Sequence, residues 1–366
     1  MQQAAHSGGR RLPELDLLRA LALAGVVVIH ATAWIVPAET SPLNGPAALA
    51  IGLARFSVPA FVFASGLALY RSQGARPKDP RAFLTRRWSR TLVPWLVWVP
   101  AYLALDLWQG LLAPAHVRDW LLSGGGHLYF LLLVAQLYLV LLFLPRSRRG
   151  LYAFAAAATI LQLALDAAHA HGPLDGDRWA TVQSPFWAGY FALGCLAGAE
   201  YERLIRLRRL WPLAALAAVA ATALVLAEAA MIGQSYWRQG AYSFLWPSRL
   251  PATLAICLAV LWGGAALKRR PAWLFTIAEE LGSRSLGVYV LQSAVLVFLG
   301  PRTGQLPAAA RVALLVPVTL VIAYAATRLL LRFRLGRLSL GERAAAAAKL
   351  PGDAERRAYR PKARAA

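Results

Sequence analysis

The residue types able to do chemistry in this chain are few, and most lie in apolar surroundings. Arg19 and His30 share one long apolar run, 15–36. Ionisable groups are costly to hold there, which makes each a functional candidate. On a helix their spacing gives about 16 Å of rise and about 20° beyond three full turns, so both face one side. A histidine titrates near neutrality, so a neutral His30 can take a proton from a hydroxyl. The plain alternative is a histidine hydrogen-bonded to a neighbouring helix. Asp16 stands one turn before Arg19 and is placed to pair with it. The plain alternative for Arg19 is snorkelling towards headgroups.

Arg55 is a second buried cation, inside the next apolar run, 47–69. It lies roughly 12 Å from that run's near end, and His30 roughly 8 Å from the same surface. The two are therefore candidates to face one cavity, where Arg55 would hold an acceptor or steady a developing oxyanion. Pairing with Asp106, Asp166 or Glu228 is the structural alternative. Arg86, Arg87 and Arg90 crowd the entry to the third run. Such a cluster can grip phosphates through bidentate hydrogen bonds, or can serve only as a positive topology anchor.

The elements that position these residues are membrane spans. Of 366 residues, 58% are hydrophobic and only 15% charged, where a soluble domain carries about a quarter. Runs of spanning length fall at 15–36, 47–69, 92–112, 128–144, 151–168, 186–199, 211–231, 250–267, 285–299 and 308–331, the sixth and ninth being short. An all-α integral membrane bundle of about ten helices follows. It would comprise a cytoplasmic segment 1–14, a membrane domain 15–331 and a basic tail 332–366. With the N-terminus inside, 31 Lys and Arg fall in inner segments and 6 in outer ones. That asymmetry sets both termini in the cytoplasm of a multi-pass inner-membrane protein. The start resembles a signal peptide ending at Ala31-Thr32-Ala33, but Asp16 and Arg19 interrupt its apolar core, so retention is expected.

These residues together resemble the acyltransferase-3 family of membrane proteins. Leu15-Asp16-Leu17-Leu18-Arg19-Ala20 followed by His30 is similar to the family's first helix. The stretch from Arg55 through Pro59 and Ser65 to Gly66 resembles its second. Arg87-Trp88-Ser89-Arg90 resembles its Arg-x-x-Arg loop, and His127-Leu128-Tyr129-Phe130-Leu131 the start of its fourth helix. Residues 189–198 and 285–296 resemble two later helices. Members move acyl groups, often acetyl, from acyl-CoA to hydroxyls of sugars, polysaccharides, lipids or natural products. The resemblance implies that His30 is the catalytic base or acyl relay, aided by Arg19 and Asp16. It implies a donor and substrate set of Arg86, Arg87, Arg90, Arg55, Ser65 and His127. It also implies acyl-CoA, in the first instance acetyl-CoA, as a donor and not a resident cofactor. The acceptor would be a hydroxyl on a glycan or lipid-linked molecule.

One departure is Gln292, where members commonly carry His; Gln cannot act as a base. Acceptor choice is expected from the loops 113–126, 169–183 and 232–249. The charge of +22 does not point to nucleic acid, because it lies in short juxtamembrane clusters facing anionic lipid. Cys195 and Cys257 lie in apolar runs with no metal or disulfide spacing. The His-x4-Asp motif of glycerolipid acyltransferases is missing, and the one Asn, Asn44, is not intramembrane. A transporter or flippase of a glycan or lipid precursor is the competing reading; it would favour paired broken helices. A catalytically silent scaffold is a third.

Overall fold

The computed structural model describes residues 12–35, 45–171, 182–232, 246–267 and 272–342. Asn44, most of the loops 169–183 and 232–249, and the far basic tail lie outside the described residues. The described residues form helices and turns with no strand. In chain order the α-helices are α1 (Pro13–Thr32), α2 (Pro46–Ala54), α3 (Ser57–Gln73), α4 (Pro80–Trp108) and α5 (Val117–Leu122). Then come α6 (Tyr129–Leu142), α7 (Arg148–His171), α8 (Ala188–Ala199), α9 (Tyr201–Arg206) and α10 (Trp211–Ile232). The last five are α11 (Arg249–Ala266), α12 (Ala272–Ser283), α13 (Ser285–Leu299), α14 (Ala308–Leu330) and α15 (Arg334–Ser339).

Eight of the described helical segments are long and apolar enough to cross a membrane, with α2 and α3 forming one of them. A ninth is the pair α12–α13, bent by 79°. The sixth run of the sequence becomes α8, whose 12 residues fall short of a span. It is shielded by α3 and α7, and a helix walled in by protein need not match the hydrocarbon thickness. The outermost helices show the opposite pattern: Leu213, Leu216, Val219 and Leu224 of α10 are exposed, as a lipid-facing stripe must be. The chain is a multi-pass membrane protein.

Close backbone contact organises the centre. A Cβ on Gly194 of α8 would lie 2.1 Å from the Phe63 carbonyl oxygen, and one on Gly66 of α3 would lie 2.3 Å from that of Phe191. Only glycine lets the two helices meet there, the small-residue packing expected where lipid supplies no hydrophobic drive.

The residues the charge pattern groups on one side also meet in space. Arg71 pairs with Glu202 at 3.4 Å and Arg148 with Glu200 at 2.5 Å. Arg76 donates to the Leu144 carbonyl at 3.1 Å, and Trp98 to that of Ser339 at 2.9 Å. At the other end Arg311 donates to the Trp34 carbonyl at 2.7 Å. The start of α1 and residues 334–342 therefore share one end of the bundle. Residues 332–342, grouped with the tail by composition, dock onto α4 through α15. Arg249, counted among loop cations, is instead buried in the first turn of α11 and donates to the Gly52 carbonyl.

Candidate active site

The arginine cluster is helical, not a loop. Asp79 caps α4 by accepting from the Ala82 amide at 3.0 Å, and Pro80 occupies the first turn. Together these start the helix well before the apolar run begins. Arg87 and Arg90 are thus one turn apart on one face. They border a cavity of about 400 Å³, also lined by Arg19 of α1 and Ser65 of α3. Arg19 keeps its expected partner, Asp16, at 3.5 Å. Arg87 stacks near Phe83 and Tyr138, with ring centroids 5.8 and 6.0 Å from its guanidinium. Arg86 is set apart: it is exposed and lines a smaller recess with Gln73, Arg87 and Arg90.

From this mouth the cavity runs past Val26 to the rings of Phe130 and Tyr289. His30 lies one helical turn beyond Val26. Directly behind Tyr289 is His127, its ring centroid 5.7 Å away. His127 in turn meets His30 edge-on at 5.6 Å. Two histidines far apart in the chain therefore touch, a pairing that spacing along the chain does not reveal.

Local structure explains how His127 is placed. Gly124, Gly125 and Gly126 all have positive φ, at 90°, 80° and 61°, a path L side chains rarely take. This turn delivers His127 ahead of α6, and Trp95 fastens it by donating to the Gly124 carbonyl at 2.9 Å. Tyr289 donates to the His127 carbonyl oxygen, and the Tyr102 ring packs edge-on against the imidazole at 4.6 Å. Tyr102 also ties α4 to α13: its hydroxyl donates to the Val290 carbonyl at 2.5 Å and accepts from the Ala294 amide at 3.1 Å.

Arg55 lies at the break between α2 and α3, with Pro59 in the first turn beyond it. There its missing amide costs nothing. Arg55 is buried, and its charge acts on both His30 and Tyr129. The three carboxylates weighed as its structural partners have contacts of their own. Asp166 is held by Gln162, Glu228 by Trp246 and Ser248, and Asp106 by Trp120. Gln292 is fully buried beside His30. Gln292 faces the His30 ring, and among the described residues its polar atoms, His30 Nδ1, His127 Nε2 and the Tyr129 hydroxyl make no hydrogen bond of good geometry. Buried polar groups are ordinarily satisfied, so the polar atoms gathered here are suited to meet a polar guest.

The structure thus brings His30, His127 and Arg55 together in one buried cluster, and Arg19, Ser65, Arg87 and Arg90 around the neighbouring cavity. Tyr102, Tyr129 and Tyr289 were not singled out from the sequence. Aromatic residues in apolar runs carry no signal of their own until the fold shows what they border. Among the described residues no cluster of His, Cys, Asp and Glu could hold a metal ion.

A family model described as an acyltransferase domain matches residues 12–328. No curated protein and no solved structure matches the chain.

Proposed function

Since the chain belongs to this acyltransferase family, we propose that it is a membrane O-acyltransferase using acyl-CoA. It would move an acyl group, acetyl in the first instance, to a hydroxyl of a sugar, glycan, lipid or natural product. One observation carries this reading: the cavity of about 400 Å³ is lined by Arg19, Arg87 and Arg90 and reaches the rings of Phe130 and Tyr289, behind which His127 meets His30. Cationic forks suit the phosphates of a donor. The apolar part of the cavity suits its arm, and the buried histidine pair behind Tyr289 suits the chemistry at the thioester. With the basic end of the bundle in the cytoplasm of the inner membrane, the mouth opens where acyl-CoA resides.

In this mechanism the acceptor oxygen attacks the thioester carbonyl while His30 takes its proton. Arg55 and the Gln292 amide are placed to steady the developing oxyanion. The carbon–sulfur bond then breaks, the new ester keeps the acyl group, and the imidazolium returns its proton to the thiolate of CoA. Arg19, anchored by Asp16, keeps positive potential along the passage.

Two interrupted spans, α2–α3 and the bent α12–α13 pair, favour a second reading as a transporter or flippase. The test is donor kinetics. Arg90→Ala should raise the KM for acetyl-CoA, and Arg90→Lys should restore only part of it because Lys lacks the fork. Unchanged KM in folded Arg87→Ala/Arg90→Ala protein would reduce the cluster to a topology anchor.

A further inference from the structure

A second cavity adjoins the first. Its volume is about 410 Å³, and Arg90 and Leu286 line both. The remaining wall includes Arg284, Ser283, Thr327 and Leu340. We propose that this second cavity binds the nucleotide end of the acyl donor, with Arg284 as a phosphate-binding residue and Arg90 at the junction with the passage for the donor's arm. The proposal rests on the acyl-CoA reading above and extends it to residues outside the Arg87–Arg90 cluster.

Three features of the cavity suit a phosphorylated nucleotide. The first is a braced cation. Arg284 contacts Glu280 through Nη1, Glu280 also accepts from Tyr324, and the guanidinium lies 5.7 Å from the Tyr324 ring centroid. Its contact with Ser283 uses Nη1 as well. The Nε–Nη2 edge is thus the part of the fork a phosphate would take, in a geometry fixed beforehand. The second is the 79° bend between α12 and α13. It brings the first turn of α13 to the partition, where Leu286 borders both cavities, Ser285 the first and Gly287 the second. No side chain caps that helix start, so its amides add positive potential to the two arginines. The third is the mixed lining. Leu286 and Leu340 offer apolar walls for a base, and the Ser283 and Thr327 hydroxyls, which donate to the Glu280 and Ala323 carbonyls, keep lone pairs able to accept from its amino group. The one carboxylate on the lining, Glu342, is exposed.

Gly287 and Gly341 show that this space depends on close packing. A Cβ on Gly287 would lie 2.4 Å from the Thr327 methyl, and one on Gly341 would lie 2.5 Å from the Arg90 carbonyl oxygen. The chain around 334–342 therefore closes the cavity against α4 directly at Arg90.

The test compares two donors that differ only in the nucleotide: acetyl-CoA and acetyl-pantetheine. The full chain is purified and reconstituted, and folding of each variant is checked by thermal melting. Arg284→Gln removes the phosphate contact, and Ser283→Trp fills the second cavity from its rim, giving up the Ser283 contact of Arg284 Nη1 but keeping the Glu280 brace and leaving the first cavity unchanged. At least a tenfold rise in KM for acetyl-CoA, with kcat/KM for acetyl-pantetheine within twofold of wild type, is expected. Calorimetric affinity for CoA should fall in parallel. Such a selective loss in either variant supports the subsite. Equal effects on both donors, or no effect, in both variants overturns it. Failure of the acyl-CoA reading itself looks different: wild-type protein would then neither bind CoA nor use either donor.

Discussion

The contact between His30 and His127 calls for a decision about which histidine is the base, and a double-mutant cycle makes it. The perturbations are His30→Gln, His127→Gln and the two combined. If His30 takes the acceptor proton, its replacement by Gln removes general-base catalysis, about 10²- to 10⁴-fold in kcat, or roughly 2.7–5.4 kcal/mol of barrier. His127 makes edge contacts with His30, Tyr102 and Tyr289 at 5.6, 4.6 and 5.7 Å. Each such ring pair is worth about 0.5–1.5 kcal/mol. A His127 that only positions His30 can cost catalysis about one of these contacts, roughly two- to tenfold in kcat, with the other two appearing as lost thermal stability. Residues that act as a unit are not additive, so His127→Gln should have almost no further effect on kcat once His30 is Gln. The assay is single-turnover acyl transfer by protein in lipid nanodiscs at saturating donor. A loss for His127→Gln as deep as that for His30→Gln, with melting unchanged, would refute the assignment of His30 alone as the base.

Other consequences are as direct. Gln292→Ala should lower kcat roughly fivefold, about 1 kcal/mol for one orienting hydrogen bond, with the donor KM unchanged; a change in KM alone would move Gln292 into the donor site. Gly194→Ala forces a Cβ to within 2.1 Å of the Phe63 oxygen, so α3 and α8 must part at about 1–3 kcal/mol. The melting temperature in detergent should drop, and wild-type melting would contradict so close a contact between α3 and α8. For orientation, Lys78→Cys and Glu202→Cys should react with an impermeant maleimide only from the cytoplasmic side, and Arg302→Cys only from the opposite side. Cys195 and Cys257 are buried and should stay silent. Labelling of Lys78→Cys and Arg302→Cys from the same side would break the topology.

Much of this architecture is legible in the sequence because lipid imposes a coarse rule: an apolar run long enough to span is a helix. The runs at 211–231 and 308–331 match α10 and α14 almost to the residue. The rule fails where protein replaces lipid. α8 is short because α3 and α7 cover it, and the late span is bent because α12 lies across it before α13 rises. The candidate site divides in the same way. Arg19 with Asp16 follows from helical spacing, and Arg87 with Arg90 needs only a helix that starts at Pro80. The approach of His127 to His30 follows from neither. It depends on three glycines with positive φ and on the tyrosines of α4 and α13, and composition holds no trace of which helix faces which. Arg284 reads as one more juxtamembrane cation until the bend places it at a cavity.

Acyl transfer from CoA is expected to depend on the proton-accepting ring of His30. The most direct measurement is release of free CoA thiol from acetyl-CoA by reconstituted wild-type protein and by His30→Gln, across a panel of hydroxyl acceptors, with calorimetric binding of CoA recorded for both. Acceptor-dependent release by wild type, reduced at least about 100-fold in His30→Gln while CoA affinity stays the same, is the expected result. Full thiol release by well-folded His30→Gln protein would contradict it.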